Sequence, residues 1–289
     1  MTKPKLSFWQ IWNLSFGFLG VQIGYSLQNS NTSSIFESLG ADVSHLSYFW
    51  LAAPLAGMIV QPIVGLFSDG TWTRWGRRIP YILGGSLISA LALVLMPNCP
   101  KLLAFAPLAM GAFILLFMDL SFNVTMQPFR ALVADMLDDS QKTQGYVVQT
   151  FLINLGAVVG AILPLVMTWL GVSDEAAPGH VSPHIAYSYY AGGAILLLTV
   201  LVTSFKTREY PPGEFARYNN LSEEDAKPVS FVGLMRNVPG VMVRLGVTQF
   251  FSWAALFLMW TYLKPAITGV VTDHATVSYT HLTLPTILR

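Results

Sequence analysis

The sequence contains few charged residues and almost no cysteine. Asp, Glu, Lys and Arg make up 11% of its 289 residues, compared with about 25% in ordinary soluble domains. A net charge of +1 provides no basic face for nucleic acid, so no such partner is expected. The single cysteine, Cys99, excludes an intramolecular disulfide and a cysteine-cluster metal site. Hydrophobic residues make up 53% and the mean hydropathy is +0.54, which predicts an integral protein of the lipid bilayer.

Seven apolar stretches are long enough to cross a membrane. A crossing helix needs about 20 apolar residues, because about 30 Å of hydrocarbon is crossed at about 1.5 Å per residue. The composition therefore predicts an all-α membrane protein. The predicted spans 1 to 7 are Phe8–Gln28, His45–Phe67, Ile79–Met96, Leu102–Gln127, Gly145–Leu170, Ile185–Phe205 and Val243–Leu263.

The distribution of Lys and Arg predicts the orientation of these spans. If the N-terminus is cytoplasmic, thirteen of the sixteen Lys and Arg residues fall in cytoplasmic segments and three fall outside. Cytoplasmic loops carry such an excess of positive charge. We therefore expect a multi-pass protein of the cell inner (cytoplasmic) membrane with a cytoplasmic N-terminus.

Span 1 is polar for a membrane helix. Gln22, Tyr25 and Asn29 recur at spacings of three and four residues, which places them on one helix face. A polar face is unfavourable in lipid, so this one is expected to look into the helix bundle or into a water-filled cavity. The alternative is that these side chains only form hydrogen bonds between helices.

Span 4 carries a second polar face. Asp119, Asn123, Gln127 and Arg130 fall within a narrow angular wedge at about 100° per residue. An ionised Asp near the bilayer centre costs about 2.5–3.5 kcal/mol, so Asp119 is expected to face a partner or a cavity. Asp119 is therefore a functional candidate. The alternative is a structural ion pair with Arg130 or with a residue of another helix.

A charged loop, GLFSDGTWTRWGRR, joins spans 2 and 3 at residues 65–78. Asp69 follows Gly65 by four residues, so the two lie on one face at a helix end. Arg74, Arg77 and Arg78 follow at once. A cytoplasmic anchoring loop would account for the arginines, but it would not account for Asp69 or the glycines.

This loop resembles the loop 2–3 signature of the major facilitator superfamily. The usual signature runs from Asp directly into the arginines, whereas residues 70–73 intervene here, after the preceding string QPIVG. That form resembles the sucrose carriers of the glycoside–pentoside–hexuronide cation symporter group. The string QPFRALVAD, from Gln127 to Asp135, resembles the end of helix 4 in the same carriers, which have a buried Asp about eleven residues before the Arg.

The resemblance implies a major facilitator fold of which this chain holds the N-terminal six-helix half and helix 7. It also implies proton-coupled symport of a sugar, an α-glucoside disaccharide such as sucrose or maltose, by alternating access. No cofactor, metal or obligate protein partner is expected. Asp119 is the implied proton-coupling residue, and Arg130 its charge partner or a substrate ligand. The implied substrate-lining residues are Gln22, Tyr25, Asn29, Asn123, Gln127, Gln249 and Trp253, and the implied gating residues are Gly65, Asp69, Arg74, Gly76, Arg77, Arg78 and Asp135.

The region after span 6 divides into four segments. Residues 206–242 are hydrophilic and are interpreted as a central cytoplasmic loop, with a short amphipathic helix at 228–237. Helix 7 follows at 243–264, and its Gln249 and Trp253 combine an amide with an aromatic face, as a sugar requires; aromatic packing is the alternative. Residues 265–276 begin an outside loop. Residues 277–289 are interpreted as an adapter-derived tail, and a truncated carrier of this kind is expected to be inactive alone.

Two other functions are compatible with parts of the sequence. Seven spans, with Lys264 near the end of the last, also suit a seven-helix receptor or a retinal protein. Such a protein would have its N-terminus outside, which the charge distribution opposes. The cluster Asp135, Asp138 and Asp139 suits a metal-dependent membrane transferase, but short acidic patterns are weak signals.

Overall fold

A computed structural model describes residues 3–41, 52–177, 179–219 and 238–276. The chain divides into two compact units, Met1–Pro228 and Val229–Arg289. Within the described ranges every regular element is helical, apart from a single pair of bridged residues, Thr73 and Gly76. The all-α class predicted from composition is therefore confirmed.

The first unit contains six long helices. Ser7 begins the first with a capping box shared with Gln10, and Asp138 caps the fifth by accepting from the Ser140 amide. The helices are α1 (Phe8–Ser38), α2 (Ala52–Gly70), α3 (Ile79–Leu95), α4 (Pro107–Met136), α5 (Asp139–Trp169) and α6 (Pro183–Lys206).

Helix α1 runs through the middle of this bundle. It packs along α5 and α6 and also contacts α4, which in turn packs against α3 and α2. Small residues allow the close approach of α5, because a Cβ atom at Gly160 would lie 2.5 Å from the Ile23 carbonyl oxygen of α1. Gly156 meets the Leu19 carbonyl in the same way.

Two side chains of α6 bind the backbone of α1. The Thr203 hydroxyl accepts from the Gly17 amide at 2.7 Å and donates to the Asn13 carbonyl at 2.8 Å. It thereby stands between two groups that an uninterrupted α-helix would pair with each other. The Tyr189 hydroxyl, which is fully buried, donates to the Leu27 carbonyl at 3.1 Å. These bonds fix the position of α1 along α6.

The segment before α1 is held at the turn between α4 and α5. The Lys3 ammonium donates to the Ala134 carbonyl in the last turn of α4, where a cation is favourable. The Gln141 side chain both accepts from the Leu6 amide and donates to the Leu6 carbonyl. This end of the bundle is the end at which α2 meets α3.

Five helical stretches in the described ranges are long and apolar enough to cross a membrane. They correspond to predicted spans 3 to 7. Helix α1 is not among them, because its polar residues lower its mean hydropathy. The start of predicted span 2 lies outside the described ranges. The five stretches are Ile79–Leu102, Pro107–Met136, Asp139–Trp169, Pro183–Lys206 and Gly240–Met259.

The loop after α6 contains one described helix, the short helix Pro212–Tyr218. The amphipathic helix predicted at 228–237 lies outside the described residues. The second unit contains α7 (Gly240–Thr276), which includes and extends predicted span 7. Residues 277–289 also lie outside the described ranges.

Candidate functional site

Polar side chains gather at two levels of the first unit. The first group, here called the arginine cluster, consists of Asp69, Arg77, Arg78, Asp135 and Glu209. The second, here called the mid-helix cluster, consists of Gln28, Gln61, Asp119 and Asn123. Asp119 precedes Asp135 by sixteen residues on one helix, so the two levels are separated by about 24 Å along its axis.

Two almost buried arginines form the centre of the arginine cluster. The guanidinium groups of Arg77 and Arg78 both contact one oxygen of Asp135 at the end of α4, at 2.5 and 2.9 Å. Arg78 also contacts Asp69 at 2.5 Å and donates to the Ser68 hydroxyl at 2.5 Å. Arg77 and Arg78 are only 7% and 5% exposed, so these contacts compensate the desolvation of two positive charges.

Glu209, from the loop after α6, caps the N-terminus of α3. Its carboxylate accepts from the backbone amides of Arg77, Arg78 and Ile79 at 2.8 to 3.1 Å. These amides have no partner within the helix, and a carboxylate is favourable at this end of the helix dipole. Burial raises the pKa of Glu209, and the three amides act in the opposite direction.

A tight turn places Glu209 over the backbone. Thr73 and Gly76 exchange backbone hydrogen bonds at 3.0 and 3.1 Å, which leaves Arg74 and Trp75 at the exposed tip. Gly76 has φ +115°, and a Cβ atom there would lie 2.5 Å from a Glu209 carboxylate oxygen. Position 76 therefore requires glycine for two reasons, the positive φ of its backbone and the close approach of Glu209.

Aromatic residues enclose Arg77 from two sides. Its guanidinium carbon lies 4.2 Å from the centre of the Phe215 ring and 5.6 Å from that of Trp72. Phe215 belongs to the short helix Pro212–Tyr218, and its ring also contacts Trp72 edge to face. The loop after α6 therefore supplies both a carboxylate and an aromatic ring to the charged loop between α2 and α3.

The structure brings four of the seven predicted gating residues into direct contact, and Gly76 lies against Glu209 in the turn described above. Asp69, Arg77, Arg78 and Asp135 make direct contacts. Arg74 is exposed, and its guanidinium carbon lies 5.8 Å from the centre of the Trp75 ring. Gly65 is joined to the cluster through Ser68, whose hydroxyl donates to the Gly65 carbonyl at 3.1 Å and accepts from Arg78.

Asp119 is the buried acid of the mid-helix cluster. It lies near the middle of α4 and is 1% exposed. The Gln28 side chain of α1, which is fully buried, donates from Nε2 to Oδ1 of Asp119. The other carboxylate oxygen, Oδ2, has no hydrogen-bond partner among the described residues. An acid in such surroundings is unusual in a structural role, because a buried acceptor without a partner is unfavourable.

Asn123 extends this cluster from α4 to α2. Its amide donates to the Asp119 backbone carbonyl at 2.8 Å, and its oxygen accepts from Gln61 Nε2 at 2.6 Å. Three helices thus contribute polar groups within one turn of the acid. Asn123 was predicted from the polar wedge of α4, whereas Gln28 and Gln61 were not among the predicted site residues.

The predicted polar face of α1 lies between α4 and α5. The Tyr25 ring meets Phe122 of α4 edge to face, with centroids 5.8 Å apart. The Cβ atom of Gln22 is close to Gly156 of α5. Tyr25 and Gln22 are half-buried, and Asn29 is exposed. The Tyr25 side chain also hydrogen-bonds to Asn29, so these two residues share one side of α1.

Arg130 does not pair with Asp119. Eleven residues separate them on α4, which corresponds to about 16 Å along the axis. Arg130 is exposed and forms no ion pair within the described ranges. The described residues therefore show no direct Asp119–Arg130 ion pair, and the described partner of Asp119 is the neutral side chain of Gln28. Gln127, between them, is half-buried.

Comparison with known proteins identifies the family. A family model described as MFS/sugar transport protein, in which MFS denotes the major facilitator superfamily, matches residues 35–288. The chain belongs to this family. The match includes residues 277–288, interpreted above as part of an adapter-derived tail. Members of this MFS family are transporters and not enzymes, so the transferase alternative is wrong.

Several curated relatives are sugar carriers by name. The chain is 27% identical over 267 residues to sucrose transport protein SUT1 of Oryza sativa subsp. japonica, covering 83% of this chain and 49% of that protein. It is 25% identical over 283 residues to the general alpha-glucoside permease of Schizosaccharomyces pombe, covering 91% and 48%. Sucrose transport protein SUC3 of Arabidopsis thaliana is 31% identical over 157 residues, covering 49% and 26%. The chain spans about half the length of the first two proteins.

The acidic residues near the end of α4 have other partners in this MFS chain. Asp135 contacts the arginines, Asp138 caps α5, and Asp139 pairs with Lys142 at 2.6 Å. No group of three or more metal-ligating side chains occurs in the described part of the chain.

Gln249 and Trp253 lie one turn apart on α7, in the second unit.

We expect Glu209→Ala to lower the stability of this MFS chain in detergent. The substitution removes the acceptor for the amides of Arg77, Arg78 and Ile79, and the expected loss is about 1–3 kcal/mol. Thermal unfolding, followed by tryptophan fluorescence, measures the effect. Glu214→Ala is the control, because Glu214 is an exposed acid in the first turn of the short helix. Equal unfolding midpoints for the two variants would contradict the capping role.

Proposed function

We propose that this chain is part of a carrier that moves a sugar together with a proton by alternating access. The observation that carries the proposal is the buried acid Asp119, which lies in the middle of a spanning helix and has one oxygen free of any described partner. A carboxyl group in a membrane interior is unfavourable unless it takes part in a pathway for protons or substrates. The family assignment supports transport as the purpose of that pathway.

The proposed substrate is an α-glucoside disaccharide such as sucrose or maltose. The names of the rice and fission yeast relatives support this class. Neutral hydrogen-bonding groups and aromatic faces suit a sugar, because its hydroxyls need partners and its ring faces are apolar. In the first unit these groups are Gln22, Tyr25, Asn29, Asn123 and Gln127, with Arg130 as a further donor. On α7, in the second unit, the proposed groups of this chemical kind are Gln249 and Trp253.

The arginine cluster is the proposed gate, and we place it on the cytoplasmic side. If the N-terminus is cytoplasmic, thirteen of the sixteen Lys and Arg residues fall in segments expected on that side, and this bias supports the proposed orientation in the inner membrane. Asp69, Arg77, Arg78 and Asp135 fasten the ends of α2, α3 and α4, and Gly65, Arg74 and Gly76 complete the loop. A reporter fused to the N-terminus that proved active only outside the cell would contradict this orientation.

Uptake measurements test the proposed activity. A complete carrier that contains this half is expressed in cells that lack their own α-glucoside uptake. Labelled sucrose and maltose should accumulate above the external concentration, and a protonophore should abolish the accumulation. Uptake that ignores the protonophore but requires sodium would overturn proton coupling. Absence of uptake for every α-glucoside, with the protein present in the membrane, would overturn the substrate class.

A further inference from the structure

The hydrogen bond between Gln28 and Asp119 is incomplete on both sides. Six buried side-chain atoms in the described ranges lack a hydrogen-bond partner, and two of them are Oε1 of Gln28 and Oδ2 of Asp119. The same two side chains are joined through their other polar atoms, from Nε2 to Oδ1. One contact between α1 and α4 thus contains a single hydrogen bond and two acceptors without donors.

A single proton would satisfy both free acceptors. An amide and a protonated carboxyl group have complementary edges, each with one donor and one acceptor. The terminal torsions of Asp and Gln are broad, so a small rotation of either group brings Oδ2 toward Oε1. Both residues are buried, where each acceptor without a donor costs about 1–3 kcal/mol.

We propose that Gln28 is the positioning residue for the coupling proton, and that protonated Asp119 and Gln28 form a ring closed by two hydrogen bonds. This inference rests on the proposed role of Asp119 as the proton-binding site. In the ring, Nε2 of Gln28 donates to Oδ1, and the protonated Oδ2 donates to Oε1. The proton comes from a hydronium ion of the aqueous solution, which leaves as a water molecule, and the carboxyl group changes from a charge of −1 to neutral.

Asp119 is the carboxyl group of this contact, and the titratable groups near it are a tyrosine and an arginine. Tyr25 of α1 packs edge to face on Phe122, hydrogen-bonds to Asn29 and interacts electrostatically with Asp119 and with Arg130 of α4. Tyr189 of α6 bonds to Leu27. The titratable side chains described on α2 and α3, Asp69 and Tyr81, lie at the ends of these helices beside the charged loop. Gln28 is therefore the described group that responds directly when Asp119 changes its charge.

The ring links protonation to the packing of α1 on α4. With the proton, two hydrogen bonds join these helices at Gln28 and Asp119. Without it, one hydrogen bond remains, and a negatively charged oxygen and an amide oxygen lie close together without a donor. Loss of the proton thus weakens this helix contact and releases α1 from α4 at the level of the sugar-lining residues.

Infrared difference spectroscopy of the 289-residue chain in lipid nanodiscs tests the ring. Spectra are recorded at successive pH values, and the carboxyl C=O band that Asp119→Asn removes is assigned to protonated Asp119. In Gln28→Leu this band should move to a higher wavenumber, because the acid loses its acceptor. Gln149→Leu is the matched control, since Gln149 is a buried glutamine that bonds to the Phe129 carbonyl, and it should leave the band in place.

A second measurement uses the unmodified sequence, so it does not depend on how the Gln28 variant folds. With glutamine labelled by carbon-13 at the side-chain carbonyl, one amide band should shift to a lower wavenumber as the Asp119 band appears. Asp119→Asn should abolish that pH-dependent shift. An Asp119 band without any accompanying glutamine shift, or one unmoved by Gln28→Leu, would overturn the ring while leaving the proton site intact. Absence of an Asp119 band across the accessible pH range would overturn both proposals.

Discussion

Asp119→Asn is expected to abolish accumulation of sugar against its gradient in a complete carrier that contains this half. The carboxyl group is the proposed binding site of the driving proton, and an amide cannot exchange a proton at physiological pH. The asparagine has the same shape as the protonated acid, so it can keep the contact with Gln28 through an amide–amide pair. The fold and the packing of α1 on α4 should therefore persist.

Two transport assays separate loss of coupling from loss of the protein. Net uptake of labelled sugar driven by an imposed pH gradient should fall to the level of vesicles without carrier. Exchange of internal for external sugar, which needs no net proton movement, should continue in the variant. Asp174→Asn is the control, because Asp174 is an exposed acid in the segment between α5 and α6, and it should behave as the unmodified carrier. Undiminished uphill uptake by Asp119→Asn would remove Asp119 from the coupling role.

The apolar helices could be predicted from the sequence because their composition alone determines them. Predicted span 3 and α3 both begin at Ile79, and predicted span 6 differs from α6 by two residues at its start and one at its end. Helix α1 was predicted to end at Gln28 but continues to Ser38. Hydropathy falls over residues 29–34, yet the helix persists because polar side chains there find partners inside the bundle. The Thr32 hydroxyl, for example, lies 3.1 Å from that of Tyr189.

The predicted end of α4 and the predicted start of α5 also differ from those in the structure. Helix α4 continues past Gln127 and through Pro128 to Met136, although proline usually interrupts a helix. Pro128 removes one backbone donor from the helix, the one that would bond the carbonyl of residue 124. The next carbonyl group along the chain from the proline, that of Phe129, accepts from Gln149 of α5, which joins this part of α4 to α5. Helix α5 begins at Asp139 rather than Gly145, and its capping residue Asp138 was visible in the sequence.

Pairings between distant residues could not be predicted from one sequence. Asp119 and Arg77 were singled out because a charge in an apolar chain needs a partner, but no local pattern names that partner. The Gln28–Asp119 bond joins residues 91 positions apart, and the Glu209–Arg78 bond joins residues 131 apart. Glu209 had no distinguishing signal in its own segment, because an acid in a hydrophilic loop is ordinary. Its role follows from the helix terminus that it approaches.

Asp135→Ala is expected to produce the largest loss of stability in the arginine cluster. The substitution leaves the guanidinium groups of Arg77 and Arg78 almost buried, with Asp69 as the remaining acidic side chain in contact. Asp69 contacts Arg77 only at 4.0 Å and is itself 56% exposed. Removing one partner of a buried ion pair costs about 3–5 kcal/mol, and we expect the lower end because Asp135 keeps some exposure.

The neighbouring acid Asp139 provides the comparison that isolates burial from charge. Asp139 pairs with Lys142 at 2.6 Å, as close as the contacts of Asp135, but its side chain is 91% exposed. Exposed pairs contribute little, because water and salt screen them, so Asp139→Ala should leave the unfolding midpoint almost unchanged. Both variants remove one negative charge from the same end of the bundle, and chemical denaturation in detergent compares them directly. Equal effects would show that net charge decides stability here, whereas a selective loss in Asp135→Ala would show that the two buried arginines depend on their shared carboxylate.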